Sequence, residues 1–370
     1  THVLNDEYTD RLARLQSELV RRNLDCAVIS PGPDLRYLVG YDAVPLERLT
    51  ALVVRAAGDP FVVSPFLEKS AALASPIGSL GLDVHTWTEV ESPYALLHSH
   101  LGDVPALCVD GRMWADKLLR VQAAFPNTTT SSAVAAISAL RMKKSAYEIE
   151  ALTRAGDAID RVHANVAQWL RVGRTEAEVG KDIARAIIAE GHVTVDFVIV
   201  GSGPNSASPH HEVSQRVIQA GDAVVVDIGG TMEDGYCSDS TRTYSMGEPD
   251  PGFARDFEVL HEAQQAATRY VKPGVSCESV DQVARDILTE SGLGDLFIHR
   301  IGHGIGLETH EEPYLVSGNT TPMEEGFAFS IEPGFYREGK AGARIEDIVI
   351  CGAEGAIVLN NRPRELVIID

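Results

Sequence analysis

Two aspartates, Asp227 and Asp239, lie twelve positions apart in the segment VVVDIGGTMEDGYCSDSTRTY, on either side of a glycine-containing turn. If the flanking segments pair as a hairpin, the two carboxylates lie across from each other. Like charges opposed across two strands destabilise a sheet, so the arrangement requires compensation, which a divalent cation would supply. The alternative is that each aspartate only favours the turn through its own local hydrogen bonds.

Further candidate ligands lie downstream. His303 lies among glycines in RIGHGIGLETHEEP, where the backbone can approach a ligand closely. Glu332 ends the strand predicted for GFAFSIEPG, on the face opposite to the large apolar side chains. Glu346 lies in the otherwise apolar strand predicted for RIEDIVIC, where burying a lone carboxylate is costly, so its partner is either Arg344 or a metal.

These positions together form a set of four carboxylates and one histidine: Asp227, Asp239, His303, Glu332 and Glu346. Manganese, cobalt, zinc or iron suits such a set better than a thiolate-binding ion does. A pair of these ions about 3.5–4 Å apart activates water at neutral pH and holds a tetrahedral intermediate. The set therefore predicts a dinuclear hydrolytic site.

Composition limits the classes of partner. The 370 residues carry a net charge of −21, which disfavours binding to nucleic acid and to anionic membrane surfaces. No apolar run reaches the roughly 18 residues that cross a bilayer. The five cysteines are scattered without a CxxC pair, which argues against a disulfide framework and a thiolate zinc site. Because the first residues lack the pattern of a secretory signal, we expect a cytoplasmic protein.

The order of the periodic segments predicts two domains. A helix at 6–23, strands at 25–30 and 106–110, a hairpin at 51–64 and a helix at 115–125 indicate a small α/β domain. Long helical periods then precede a run of strands, so we place the boundary between residues 128 and 142 and the domains at 1–135 and 136–370. Strands predicted at 195–203, 222–230, 240–247, 326–334 and 344–351, with helices at about 252–272 and 276–291, indicate an antiparallel or mixed sheet flanked by helices.

The motifs resemble those of the creatinase/prolidase-type metallopeptidases, which include methionine aminopeptidases, aminopeptidase P and Xaa-Pro dipeptidases. The segments DIGGTMEDGYCSDSTRT, HRIGHGIGLETHEEP, SIEPG and ARIED follow in that family's order, and RLARLQSELVRRNLDCAVISPGPDLRYLVGY resembles its amino-terminal domain. The resemblance implies an α+β protein. Its pita-bread catalytic domain, an antiparallel sheet flanked by helices, follows a smaller creatinase-type α/β domain, and the family analogy implies a homodimer.

The resemblance also implies ligand roles. Asp227 would bind one metal, His303 and Glu332 the other, and Asp239 and Glu346 both. Two divalent ions per subunit are expected, with manganese as the first choice.

Other matching positions would contact the substrate or the ligands. His210, in preference to His211, would bind substrate and shuttle protons, and His310 would stabilise the developing oxyanion. Glu332 would act as general base and acid. Thr241 would orient Asp239. The proline ring would meet a pocket formed by Phe197, His299, His310 and Arg344.

The implied activity is hydrolysis of the Xaa-Pro bond of short proline-containing peptides by a metal-bridging hydroxide. Several Xaa-Pro dipeptidases have an arginine after the HEEP motif that can bind the substrate's terminal carboxylate, whereas this chain has Tyr314, which offers one neutral hydrogen bond. An aminopeptidase P acting on longer peptides is therefore the alternative. A creatinase-like hydrolase or a non-catalytic binding module would be expected to lack the complete ligand set.

Overall fold

The computed structural model describes residues 2–370, which form two compact units, the first ending at Arg141 and the second spanning Met142–Asp370. Within the described residues, no helix has the length and apolar character needed to cross a membrane.

The first unit is built on a six-stranded sheet with the order β4-β3-β2-β1-β5-β6. Its strands are β1 Cys26–Ile29, β2 Ala51–Arg55, β3 Phe61–Pro65, β4 Asp83–Trp87, β5 Ala106–Val109 and β6 Thr129–Ser132. Its helices are α1 His2–Arg21, α2 Pro33–Val39, α3 Lys69–Ala74, α4 Pro76–Ser79, α5 Pro93–Leu101, α6 Ala115–Ala124 and α7 Val134–Arg141. Strands β2 and β3 form the predicted antiparallel hairpin, and β1 pairs in parallel with β5.

The second unit contains four α-helices and a longer series of strands in residues 142–370. The helices are α8 Ala146–Trp169, α9 Glu176–Ala189, α10 Pro251–Tyr270 and α11 Cys277–Glu290. The strands are β7 His192–Ser202, β8 Ala223–Met232, β9 Ser240–Met246, β10 Gly302–Gly304, β11 Glu311–Leu315, β12 Ala328–Ile331, β13 Gly334–Arg337, β14 Ala341–Arg344, β15 Asp347–Cys351, β16 Ala356–Val358 and β17 Val367–Ile369. Helix α9 begins at a capping box, in which the Thr175 side chain accepts from the Glu178 amide and the Glu178 side chain accepts from the Thr175 amide.

Two sheets of the second unit each have helices packed against them. The first has the order β17-β9-β8-β7, and α8 and α9 pack on it through apolar residues such as Ile159 and Ile183. The second has the order β11-β10-β12-β15-β16, and α10 and α11 contribute Leu260 and Leu288 to the core beneath it. The predicted sheet flanked by helices is confirmed, with mostly antiparallel pairing.

The strand predicted over RIEDIVIC is interrupted. Strand β14 ends at Arg344 and pairs with β13, whereas β15 begins at Asp347 and pairs with β12. Glu346 lies in the gap, where its backbone bridges to Thr241 of the first sheet. The prediction of one continuous strand is wrong because the two halves of the segment have different partners.

Candidate active site

The β8–β9 hairpin brings both aspartates to one face of the first sheet. Asp227 pairs with Thr241, and Asp239 lies two residues before Thr241, at the entrance to β9. The two aspartates are therefore diagonal neighbours rather than direct partners, so the expected register is wrong by two residues. Because side chains two positions apart point to the same side of a strand, the carboxylates still share a face.

The second sheet supplies the other predicted ligands. His303 lies in β10, Glu332 directly after β12, and Glu346 in the break between β14 and β15. The His303 Nε2 atom lies 3.3 Å from Asp239, 3.0 Å from Glu332 and 3.8 Å from Glu346. Ligand atoms of these four residues all lie within 4.8 Å of one another, as do those of Asp239, His303 and His310. Asp227 lies outside both groups but lines the same cavity.

Neighbouring hydrogen bonds orient these groups. Thr241 donates to Glu346 Oε1 over 2.8 Å, and Ser330 donates to Glu332 Oε2 over 2.9 Å. Thr241 thus contacts Glu346 in this structure, whereas the family resemblance implied Asp239. His303 Nδ1 donates to the Gly304 carbonyl over 2.9 Å, so its Nε2 faces the carboxylates.

The five predicted ligands, Asp227, Asp239, His303, Glu332 and Glu346, are called the ligand ring below. Two buried carboxylate oxygens of this ligand ring, Asp227 Oδ1 and Glu346 Oε2, have no hydrogen-bond donor within residues 2–370. Burying an unpaired carboxylate oxygen is costly, and a cation would satisfy both atoms. The donor set of carboxylates and one imidazole is also the set that hard and borderline divalent ions prefer. The residues therefore fit a divalent metal site.

The shifted pKa values of these ligands are consistent with the same need for positive charge. Burial, with added repulsion from Asp239 and Glu332, raises the pKa of Asp227 to about 7, although Arg344 opposes the shift. Burial and the neighbouring carboxylates raise the pKa of Glu346 well above its ordinary range. Burial lowers the pKa of His303, but hydrogen bonds to Asp239 and Glu332 outweigh it and raise that pKa to about 10.

A chain of hydrogen bonds connects Asp227 to His299. Arg344 donates to Asp227 Oδ2 over 2.8 Å, to the Pro209 carbonyl over 3.1 Å and to the Tyr336 hydroxyl over 3.0 Å. His299 Nδ1 lies 2.7 Å from the carbonyl of the next residue, so it donates there, and Nε2 accepts from Tyr336 over 2.7 Å. Arg344 therefore binds one oxygen of Asp227, and the Tyr336 hydroxyl links Arg344 to His299.

The ring opens into a cavity of about 610 Å³ within the second unit. His210 and His310 line it from the solvent-exposed side, together with half-buried Phe197. The His310 ring packs edge-on against His303, with ring centroids 4.2 Å apart. His211 also lines the cavity, but its Nε2 donates to the buried Glu176 carboxylate over 2.8 Å.

Tyr314 is not among the residues that line this cavity. Its ring lies beneath the Arg300 guanidinium, whose carbon is 4.2 Å from the ring centroid. The backbone carbonyl of Tyr314 accepts from Asn319 over 2.6 Å.

Similarity to known proteins extends over nearly the whole chain. Residues 150–353 match Metallopeptidase family M24, and residues 11–143 match the Creatinase/Prolidase N-terminal domain. The chain belongs to metallopeptidase family M24. The predicted two-domain creatinase/prolidase fold with a carboxyl-terminal pita-bread domain is thereby confirmed, and so is the prediction of a metal-dependent peptidase.

Relatives of this M24 peptidase include dipeptidases. It is 51% identical over 363 residues to the "Probable dipeptidase PepE" of Mycobacterium tuberculosis, and the matched region covers 98% of this chain and 96% of the relative. It is 37% identical over 369 residues to the "Xaa-Pro dipeptidase" of Lactobacillus helveticus, covering 97% and 98% of the two chains. The crystal structure of dipeptidase PepE from Mycobacterium ulcerans has a TM-score of 0.96 at 50% identity, covering 99% of this chain and 98% of that one.

Three residues that contact the predicted site residues were not themselves predicted from the sequence: Tyr336, Glu176 and Arg300. The only local signal for Tyr336 is Gly334, where a Cβ atom would collide with the tyrosine hydroxyl. Glu176 follows the Thr175 cap and reads as an ordinary first-turn acid of a helix. The partners of all three residues are remote in sequence or lie on other elements.

Proposed function

We propose that this M24 peptidase is an Xaa-Pro dipeptidase, which hydrolyses the bond before proline in short peptides with two divalent metal ions. The observation that carries the proposal is the cluster of Asp239, His303, Glu332 and Glu346, with Asp227 on the wall of the same cavity. Within residues 2–370, Asp227 Oδ1 and Glu346 Oε2 are buried without a hydrogen-bond donor. The names of the mycobacterial and Lactobacillus relatives support dipeptides as the substrate class.

The proposed ligand roles follow the resemblance. Asp227 would hold one ion, His303 and Glu332 the second, and Asp239 and Glu346 both. Manganese is the first choice, and cobalt, zinc and iron are the alternatives, because carboxylate and imidazole donors suit this class of ion. Bound there, the ions would activate the attacking water and polarise the scissile carbonyl.

The side chains of this chain would supply the proton transfers. Glu332, held by Ser330, would accept the proton of the attacking water and deliver it to the proline nitrogen as the bond breaks. His310, whose ring packs against that of His303, would donate a hydrogen bond to the oxyanion. His210, which lines the same cavity, would contact the substrate and exchange protons with it.

Selectivity for proline would come from the cavity wall. Phe197 lines the cavity and offers an apolar surface to the proline ring. His299, which the family resemblance places near the leaving group, does not line the cavity and would act there through its hydrogen bond with Tyr336. Arg344 is proposed to act by orienting Asp227, since its guanidinium binds that carboxylate, Tyr336 and the Pro209 carbonyl.

An aminopeptidase P activity on longer peptides is the second candidate. It would use the same metal ligands. Tyr314 carries no positive charge and does not line the cavity, so it offers no cation to the terminal carboxylate of a dipeptide. This feature favours the aminopeptidase over a strict dipeptidase. The two candidates differ in what must follow the proline.

The test is an assay of metal-depleted protein reconstituted with manganese on Xaa-Pro, on Xaa-Pro-Yaa-Yaa and on an Xaa-Ala control. We expect manganese-dependent cleavage of Xaa-Pro with little cleavage of the control. Equal or faster cleavage of the longer peptide would assign the aminopeptidase instead. Failure to cleave either proline peptide would refute both. We also propose a homodimer, which sedimentation of the purified protein tests.

A further inference from the structure

Two acidic side chains on the wall of the active-site cavity lie outside the ligand ring: Asp196 and Glu212. Asp196 lies in β7, and Glu212 lies in the segment between β7 and β8 that also carries His210. No lysine or arginine of residues 2–370 lines this cavity. The wall therefore carries two negative charges that neither the metal ligands nor the proposed proton transfers require.

The backbone of β7 is irregular at Asp196. The register of β7 against β8 shifts by one residue between Val195 and Phe197, which leaves Asp196 without a partner in β8. Such a bulge redirects the side chain of a strand and is common beside active sites. Thr194 donates to one carboxylate oxygen of Asp196 over 3.0 Å, and Thr231 donates to the other over 2.7 Å. The carboxylate is thus held in place, and each oxygen keeps a lone pair for a cation.

Glu212 lies on the same stretch of wall as Asp196. The residue after it, Val213, packs close to Val198 of β7, since a Cβ atom placed on Gly180 of α9 would lie 3.1 Å from Val213 and 3.7 Å from Val198. Val198 follows Asp196 by two residues in β7. Glu212 is exposed and forms no ion pair within residues 2–370. The segment therefore brings a second, unpaired carboxylate to the part of the wall that carries Asp196.

The two metal ions proposed above would neutralise the ligand ring but not these two residues. Two divalent ions carry four positive charges, which balance the four carboxylates of the ligand ring. Asp196 and Glu212 then leave the cavity with uncompensated negative charge. A cavity lined by one sign of charge attracts a ligand group of the opposite sign and repels one of the same sign. The wall therefore favours a positively charged group on the substrate.

The apolar neighbours of the two acids indicate the shape of that group. Val198 and Val213 line the same cavity as Asp196 and Glu212. The side chains of lysine and arginine place an aliphatic stem on apolar surface and a charged end beyond it, which matches valines next to carboxylates. The α-amino group of a peptide is also positive, but it has no such stem.

We propose that Asp196 and Glu212 make this peptidase selective for lysine or arginine as the residue before proline. The inference rests on the proposed Xaa-Pro activity and specifies its substrate class as peptides with a cationic residue at that position. It holds for dipeptides and for longer peptides alike, because both contain the residue before proline.

The test compares Lys-Pro with norleucyl-proline, which has a similar aliphatic stem without the charge, on the manganese-loaded protein. The ratio of the two kcat/KM values should be about 4- to 25-fold in favour of Lys-Pro, since each of two accessible ion pairs contributes about two- to fivefold. Glu212→Gln and Asp196→Asn should each lower this ratio about two- to fivefold, and the double variant should bring it close to one. High salt should lower the wild-type ratio as well.

Two further variants separate charge recognition from structure. Glu258→Gln removes a negative charge from an exposed position of α10 outside the cavity and should leave the ratio unchanged. Glu212→Lys reverses the charge and should raise kcat/KM for Glu-Pro relative to Lys-Pro above the wild-type value. A poorly folded protein does not produce such a gain, and thermal unfolding of each variant checks that it is folded.

The possible outcomes decide between the claims. A wild-type ratio near one would overturn the inference, as would equal losses with both peptides in the double variant, which would show a structural role. If the wild-type protein cleaves no proline peptide, the proposed function fails, and calorimetric binding of Lys-Pro and norleucyl-proline then decides the role of the two acids. Tighter binding of Lys-Pro by wild type but not by the double variant would support that role, and equal affinities of wild type for the two peptides would overturn it.

Discussion

Glu176 anchors the loop that carries His210, so changing it to glutamine should impair the site from a distance. The carboxylate is fully buried at the start of α9. It accepts from the Ser202 amide and hydroxyl, both over 2.7 Å, from the Ser214 hydroxyl over 2.6 Å and from His211 over 2.8 Å. Ser202 and Ser214 flank residues 203–213, the segment that includes His210, and His211 ties the middle of that segment to the same carboxylate.

The expected loss of stability in Glu176→Gln follows from the hydrogen bonds that the two carboxylate oxygens accept. In Glu176→Gln, one oxygen becomes an NH₂ group that faces either the Ser202 or the Ser214 backbone amide, and that amide loses its acceptor. An unsatisfied buried donor costs about 1–3 kcal/mol, and each lost bond to a charged acceptor contributes about 1.5–3 kcal/mol, less whatever the hydroxyls recover by rotating. We expect a loss on the order of 3 kcal/mol, which lowers the Tm of the second unit by about 6–12 °C.

The loss should depend on pH with a definite sign. Burial raises the pKa of Glu176, but hydrogen bonds from Ser202, Ser214 and His211 outweigh it and hold the pKa below its ordinary value of 4.5. A group with a lowered pKa in the folded state adds stability above its unfolded pKa and loses it as the pH falls through the folded value. The difference in unfolding free energy between wild type and Glu176→Gln should therefore be full at neutral pH and shrink below about pH 4.5.

The assay combines calorimetric unfolding with Xaa-Pro hydrolysis. Because His210 is less well positioned when its loop is released, kcat/KM should fall about 10- to 100-fold while the bound metal content stays the same. The control is Glu178→Gln, the same change two residues along α9 at an exposed position where glutamine can still complete the capping box. If Glu176→Gln unfolds at the wild-type temperature with wild-type activity, the anchoring argument is refuted.

Three further substitutions test other contacts of the second unit. Tyr336→Phe removes the hydroxyl between Arg344 and His299, so kcat should fall while metal content, measured by mass spectrometry, is unchanged; loss of metal would contradict this. Thr241→Val removes the donor to Glu346 Oε1 and should weaken metal affinity about 10-fold or more in a competitive chelator titration, whereas Thr241→Ser should retain it. Arg242→Met leaves the buried Asp347 carboxylate without one of its partners and should lower the free energy of unfolding by about 3 kcal/mol or more in denaturant titration; a change below about 1 kcal/mol would argue against it.

Local patterns in the sequence were sufficient for the main elements and for the types of the candidate ligands. Strands β7, β8 and β9 and helices α10 and α11 lie within a few residues of their predicted bounds, because apolar periodicity and capping residues act over short distances. Carboxylates at strand ends and a histidine among glycines likewise indicated a metal site before any contact was known.

Only the tertiary structure decided how those residues meet. The pairing of Asp227 with Thr241, the break before Asp347 and the stacking of Arg300 on Tyr314 each depend on which strands become neighbours. Strand register and partner choice are set by packing between segments that are far apart in the chain, and no short-range pattern encodes them. The sequence thus determined which side chains could bind metal. The tertiary structure determined which of their carboxylate oxygens have no protein donor and can therefore bind a metal ion.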